Sequence, residues 1–394
     1  MIWNNRGRQL EALGEKFRDK KNIVFYGLSY RLAEVYKRIS FLDTDIVCCW
    51  DKRCGEVVEK IPQGGICGSF ADAVALMEKK NYLLIITLAD KAESKALKRK
   101  LILSGYKEEE DFMDVSSFMD FYLPLYALYA HGKCYVEYVN HPTNWKCTLK
   151  CKKCAFCMPY LKHGKEPLDK LNRETDLLFA KVDFIYDYSV IEGEALLEQD
   201  LLLGQMRYLI ENYAHRFHNI SFISNATVLP KEELMVFMDK HREKIDFYVS
   251  CYKNVPGWQQ KFERFEEAFR KRNMSFGLIE DESWMDFGFG EGVNLDLQPE
   301  ELQRHFDLCG QHCRRLQDGK LAYCADSYNA QLAFYPEIDQ QGELLDLEDP
   351  GLGKAEMVEW FYGYQDKGYL EMCRHCNGWG SRNKIRVPVA EQLD

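Results

Sequence analysis

The sequence predicts an α/β protein in which parallel strands alternate with crossover helices. Two observations predict this class: short apolar runs recur through the middle of the chain, and a segment of helical periodicity separates each run from the next. The runs lie near residues 133–139, 183–191, 219–224, 245–251 and 275–280, and the helical patterns near 168–181, 195–213, 231–241 and 258–272. A separate alternation of the same kind over residues 1–117 indicates a second α/β domain.

The alternation in residues 1–117 is typical of a Rossmann-like fold, and it resembles the small nucleotide-binding-type domains attached to sugar-modifying enzymes. Asp51 ends the second predicted strand, where such folds place a ribose-binding acid. The loop after the first strand matches the G-x-G-x-x-G phosphate-binding fingerprint at one position only. Gly27 is present, but Ser29 and Leu32 stand where the fingerprint has its other two glycines. We therefore expect a docking or sugar-nucleotide-recognition domain rather than a working dinucleotide site, with a purely structural domain as a further alternative.

A C-x3-C-x2-C run stands directly after the first predicted strand of the middle domain and consists of Cys147, Cys151 and Cys154. Three thiolates at this spacing can hold three irons of a [4Fe–4S] cluster and leave the fourth iron open. Cys157 follows at another C-x2-C step, so a four-thiolate zinc site or a ferredoxin-like segment is an alternative. The run resembles that of the radical S-adenosylmethionine (SAM) superfamily, with Lys153 where the family usually has an aromatic residue.

This resemblance implies a partial (β/α)6-type barrel over residues 133–290, preceded by a linker at 118–132. It implies a [4Fe–4S] cluster whose open iron chelates SAM, and reductive cleavage of SAM to a 5′-deoxyadenosyl radical that removes hydrogen from a substrate. The electron is expected from a flavodoxin- or ferredoxin-type reductant.

Further features follow in the order that the family has them. The segment Glu192-Gly193-Glu194 after the second strand resembles the family's Gly-Gly-Glu segment, which implies that these residues bind SAM and that Glu194 holds its amino group. By the same resemblance, Ser224 and Asn225 end the third strand, and Ser250 ends the fourth, beside SAM. The alternative for the two acids is a favourable charge at a helix N-terminus.

The last third of the chain contains a second set of cysteines: Cys309, Cys313, Cys324, Cys373 and Cys376. Asp318-Gly319 between apolar positions predicts a hairpin turn. The pattern resembles the twitch/SPASM-like auxiliary-cluster domain, here over residues 291–394, which implies a second [4Fe–4S] cluster with four ligands, Cys309 being favoured over Cys313. A structural zinc site is the alternative.

Composition limits the cellular setting and the partners. The 394 residues carry a net charge of −10, which argues against a nucleic-acid partner. No apolar run approaches the roughly 18 residues that a membrane span requires. The 15 cysteines, with no signal-like segment before them, indicate a reducing cytoplasm.

These expectations converge on a radical SAM enzyme of oxidoreductase or epimerase type that acts on a small polar substrate, of carbohydrate or cyclitol type. Two alternatives stay open: a maturase that modifies a ribosomally made peptide, and a non-enzymatic iron–sulfur electron carrier or redox sensor.

Overall fold

The computed structural model describes residues 1–49, 67–162, 164–191 and 193–394, and it is a mixed α/β structure with two large sheets. The strands are β1 Asn22–Tyr26, β2 Ile46–Cys49, β3 Cys67–Gly68, β4 Tyr82–Ile86, β5 Phe112–Asp114, β6 Tyr135–Asn140, β7 Phe184–Val190, β8 Phe217–Ser224, β9 Ile245–Ser250, β10 Gly277–Ile279, β11 Trp284–Met285, β12 Arg315–Gln317, β13 Lys320–Ala322, β14 Leu345–Asp346 and β15 Arg386–Val387. The helices are α1 Glu11–Gly14, α2 Tyr30–Ile39, α3 Phe70–Met77, α4 Lys91–Leu103, α5 Val115–Ser117, α6 Leu123–His131, α7 Leu168–Lys181, α8 Gln199–Tyr213, α9 Glu232–Lys240, α10 Trp258–Lys271, α11 Pro299–Asp307, α12 Ala325–Phe334 and α13 Lys354–Phe361.

The first sheet has five parallel strands in the order β3-β2-β1-β4-β5. Its central strand β1 leads into Gly27, whose φ of +110° is open to glycine but strained for other residues. A Cβ at Gly27 would lie 2.7 Å from Leu88 Cδ2, so Leu88 packs directly against this turn. Asp51, the expected ribose-binding acid, lies outside the described residues.

The second sheet has the order β10-β9-β8-β7-β6-β12-β13-β14, and neighbouring strands from β6 to β10 are parallel. Helices α7, α8, α9 and α10 connect these five strands in turn. The predicted alternation of strands and helices in the middle of the chain is therefore confirmed. Because parallel strands end at the same edge of a sheet, the segments after β6, β7, β8 and β9 are brought together.

The two sheets share one hydrophobic core. The interval 118–132, expected as a linker, contains helix α6, whose Leu123 and Tyr126 are fully buried. Phe41, which follows α2, stacks on Phe184 of β7 with ring centroids 4.5 Å apart. In the part of the chain that the structure describes, no helix is long and apolar enough to cross a membrane.

The last third of the chain extends the second sheet. β12 and β13 form an antiparallel hairpin whose turn residues Asp318 and Gly319 have φ of +53° and +70°, as the sequence predicts for this turn. β12 joins the free edge of β6 through the pairing of Arg315 with Asn140. This pairing brings the segment before β12 against the middle domain.

Candidate functional site

The cysteine loop begins just after β6 and is held by polar groups. Asn144 is fully buried, and its Oδ1 accepts a hydrogen bond of 2.8 Å from the Lys146 backbone N–H. The Lys146 carbonyl in turn accepts a hydrogen bond of 2.6 Å from the backbone N–H of Glu194. The turn after β7 is thus bonded to the residue that directly precedes Cys147.

The thiols of Cys147, Cys151 and Cys154 face one another. Burial raises the pKa of each to about 11, and the mutual repulsion of the three thiolates contributes to this rise. Tyr252, which follows β9, is within electrostatic range of all three, and burial raises its pKa as well. At neutral pH the free thiols hold their protons, so a bound metal must displace them.

Thiol sulfurs are the ligands that an iron–sulfur cluster takes, so these three residues suit such a cluster. In the described part of the chain, no three His, Cys, Asp or Glu side chains converge closely enough to ligate one metal ion. A cubane cluster is several atoms wide, so its thiolates surround it at a greater separation. Cys157, the fourth thiol considered for zinc, instead packs against Ala330 and Met372 in a small apolar cluster.

Glu194 presents a buried carboxylate beside this loop. Its Oε1 accepts hydrogen bonds from Leu196 N–H at 3.0 Å and Ser224 Oγ at 2.9 Å, and its Oε2 accepts one from Asn225 N–H at 2.7 Å. All three of these donors are neutral. Burial raises the pKa of Glu194 to about 7, although the three hydrogen bonds oppose the rise. A carboxylate in this setting is suited to receive a cation.

Gly193 allows the two segments to meet. Its φ is +59°, and a Cβ at this position would lie 2.2 Å from the Lys146 carbonyl oxygen. The close approach therefore requires glycine. Glu192, the remaining member of the predicted segment, lies outside the described residues.

The ends of β8 and β9 complete the site. Asn225 Nδ2 is 3.6 Å from Cys147 Sγ and donates to Thr148 Oγ1 at 3.1 Å. Ser250 is nearly buried at the end of β9 and hydrogen-bonds with Tyr252. The structure therefore brings Gly193, Glu194, Ser224, Asn225 and Ser250 to the same edge of the sheet as the three cysteines.

Two further residues at this edge were not identified from the sequence. Tyr252 faces the three thiols, and Trp258 Nε1 donates a hydrogen bond of 2.7 Å to the Asn225 carbonyl. The one cue for Tyr252 in the sequence is an aromatic residue directly after the predicted strand 245–251. Trp258 opens helix α10, and its contact depends on how that helix folds back on the sheet.

The second set of cysteines divides into a group of four and a separate residue. Cys309, Cys324, Cys373 and Cys376 are within electrostatic range of one another, and burial raises the pKa of Cys324 to about 12. Cys313 instead hydrogen-bonds with the Tyr138 hydroxyl of β6.

Backbone amides point at three sulfurs of the group of four. Ser327 N–H donates to Cys324 at 3.4 Å, Gly378 N–H to Cys376 at 3.2 Å and Trp379 N–H to Cys309 at 3.4 Å. Such donors favour thiolates, the form that binds metal. These four residues therefore fit a closed thiolate site, and Cys313 stands outside it.

The face of the parallel sheet turned away from α7 carries polar groups. Tyr188 of β7 packs on α7, where its hydroxyl lies 3.1 Å from Thr175 Oγ1, so its neighbour Asp187 points to the opposite face. Asp187 accepts a hydrogen bond from Asn219 Nδ2 at 3.2 Å and bonds with Ser221, and burial raises its pKa to about 7. A polar inner face of this kind is suited to a polar ligand.

No family model matches the chain, and no curated protein matches it in sequence. Among solved structures, native anSMEcpe with bound AdoMet matches at 13% identity and a TM-score of 0.41, over 65% of this chain and 93% of that chain. BtrN in complex with AdoMet and 2-DOIA matches at 12% identity and a TM-score of 0.36, over 66% of this chain and 98% of that chain. At this low similarity we draw no functional conclusion from either structure.

Proposed function

We propose that the chain is a radical SAM enzyme. The observation that carries this proposal is the meeting of three converging thiols with a buried carboxylate, that of Glu194, at the carboxyl edge of one parallel sheet. The thiols can hold a [4Fe–4S] cluster with one open iron, and the carboxylate can bind the ammonium of SAM. When bound, the cluster and SAM supply a reductively generated 5′-deoxyadenosyl radical.

The protein's own residues bind and orient SAM. Glu194, whose carboxylate accepts three hydrogen bonds from neutral donors, would release its carboxyl proton to solvent and form an ion pair with the ammonium group of SAM. Asn225, beside Cys147, and Ser250, at the end of β9, would hydrogen-bond the polar parts of SAM. The aromatic side chains of Tyr252 and Trp258 line the site and exclude water from it.

For the second set we propose that Cys309, Cys324, Cys373 and Cys376 hold a further [4Fe–4S] cluster, as a twitch/SPASM-like domain would. Its support is the convergence of the four thiols and the three amides directed at their sulfurs. Four protein ligands leave this cluster no open iron, so its role is to accept or pass on an electron.

For the substrate we propose a small polar molecule of carbohydrate or cyclitol type, which is oxidised or epimerised. The support is the inner face of the sheet, where Asp187, Asn219 and Ser221 form a hydrogen-bonded polar surface. The hydroxyl groups of such a substrate can hydrogen-bond with these side chains, which an apolar substrate cannot do. The electron for SAM cleavage would come from a flavodoxin- or ferredoxin-type reductant.

The test is anaerobic reconstitution with iron and sulfide, reduction with dithionite in the presence of SAM, and chromatography for 5′-deoxyadenosine. We expect product from the unaltered protein and none from Cys151→Ala. The matched control is Cys157→Ala, which removes a nearby thiol that packs in an apolar cluster and is expected to keep activity. An electron carrier would bind iron but would neither bind nor cleave SAM.

A further inference from the structure

The segment 389–394 lies across the first cysteine loop. Its backbone pairs with the loop through Lys152 N–H donating to the Glu391 carbonyl and Leu393 N–H donating to the Lys150 carbonyl, both at 2.8 Å. The Gln392 side chain takes part as well: its Oε1 accepts from Lys150 N–H at 2.8 Å. We refer to residues 389–394 as the tail segment.

The amide of Gln392 reaches a cluster ligand. Its Nε2 lies 3.3 Å from Cys151 Sγ, which is within hydrogen-bonding distance for a sulfur acceptor. The same side chain is fixed at its other end by the Lys150 amide, so the direction of the N–H group is set. A bifunctional side chain held in this way acts as an oriented donor rather than a mobile surface group.

Apolar packing and pairing hold the tail segment in place. Val389 and Ala390 are nearly buried, in one cluster with Leu149 and Trp258. Just before them, strand β15 pairs with β11, and Trp284 of β11 meets the Tyr252 ring edge-on at 5.7 Å. The contacts therefore continue from the tail segment to the residue that faces all three thiols.

We propose that the tail segment is a cap on the first cysteine loop and that Gln392 is a positioning residue that sets the reduction potential of the cluster bound there. This inference rests on the proposed function for the cluster, but not on the identity of the substrate. The reduced cluster carries one more negative charge, which is spread onto the sulfurs, so an N–H donor at Cys151 stabilises it more than the oxidised form. The hydrogen bond therefore raises the reduction potential.

The central experiment is a redox titration followed by electron paramagnetic resonance (EPR), with the first cluster identified by the change that SAM makes in its signal. Gln392→Leu removes the donor, and we expect the reduced-to-oxidised ratio at a fixed potential to fall about tenfold, a shift of ~59 mV for one electron. Glu391→Gln is the control, because it loses the ion pair with Lys152 and keeps the amide at Cys151. Equal potentials for Gln392→Leu and the control would overturn the role of Gln392.

A second measurement needs no iron and tests the cap itself. Hydrogen exchange of the loop amides at 150 and 152 is compared in the full chain, in Gln392→Leu and in a chain ending at 388. We expect the amide at 152, which donates to the Glu391 carbonyl, to be protected in the first two and to exchange at least tenfold faster in the shortened chain, because the backbone pairing is lost. The amide at 150, which donates to Gln392 Oε1, is expected to exchange faster in both Gln392→Leu and the shortened chain. Unchanged exchange on shortening would refute the cap. If SAM leaves every EPR signal unchanged, the proposed function fails. The exchange experiment still decides whether the tail segment caps the loop, because it does not depend on SAM.

Discussion

Replacing Glu194 by Gln separates the charge of this side chain from its shape. The carboxylate accepts two hydrogen bonds at Oε1 and one at Oε2. An amide offers one oxygen, so whichever way it turns, its NH2 group faces the backbone N–H of Leu196 or of Asn225. One buried donor is left unsatisfied, which costs about 1–3 kcal/mol of folding stability.

The same substitution is expected to weaken SAM binding, because the ion pair between Glu194 and the amino group of SAM is lost. A hydrogen bond to a charged group contributes about 1.5–3 kcal/mol, so the Kd for SAM is expected to rise about tenfold to a hundredfold. The assay is isothermal titration of the reconstituted protein with SAM, after thermal denaturation has established that the variant folds. Glu198→Gln is the control. Glu198 lies four residues after Glu194, forms ion pairs with Lys146 and Lys165, and is not expected to touch SAM. An unchanged Kd in folded Glu194→Gln would refute the assigned role.

Three further predictions follow from the same geometry. Gly193→Ala is expected to lower Tm and SAM affinity far more than Gly132→Ala. Both glycines have positive φ, but only at Gly193 would the added Cβ lie 2.2 Å from a carbonyl oxygen. Equal losses in Tm would contradict this reasoning. Burial raises the pKa of Glu194 to about 7 from 4.5, so the folded state holds the proton more tightly. As pH rises from 4.5 to 7, the SAM-free protein is expected to lose about 3 kcal/mol more stability than Glu194→Gln, because the other buried carboxyl groups, such as Asp187, titrate in both proteins; denaturation series at several pH values measure this difference. Cys309→Ala is expected to halve the iron bound after reconstitution, as measured by iron analysis, while Cys313→Ser leaves it unchanged. The reverse pattern would make Cys313, and not Cys309, the ligand.

The strands and helices of the middle domain could be predicted because local patterns determine them. Each strand from β7 to β9 is a short, mostly apolar run, and each helix between them has a buried stripe. The meeting of Cys147 and Glu194 also follows from sequence once the strands are parallel, since both residues come directly after neighbouring strands. The role of Gly193 needed the structure, because only the backbone path shows that a carbonyl occupies the place of its Cβ.

Other parts of the site depend on contacts between distant segments, which no local pattern encodes. Spacing alone left Cys309 and Cys313 as competitors. The hydrogen bond between Cys313 and the Tyr138 hydroxyl became visible only in the structure. Gln392 meets Cys151 across most of the length of the chain, so its part in the site could not be read from sequence.

The most direct test of the central claim is the EPR spectrum of the dithionite-reduced, reconstituted protein recorded with and without SAM. If Cys147, Cys151 and Cys154 hold a cluster with an open iron, SAM will change the signal of that cluster, and Glu194→Gln will require more SAM for the same change. A spectrum that saturating SAM leaves unaltered, in protein that carries its full complement of iron, would contradict the assignment of this site to SAM chemistry.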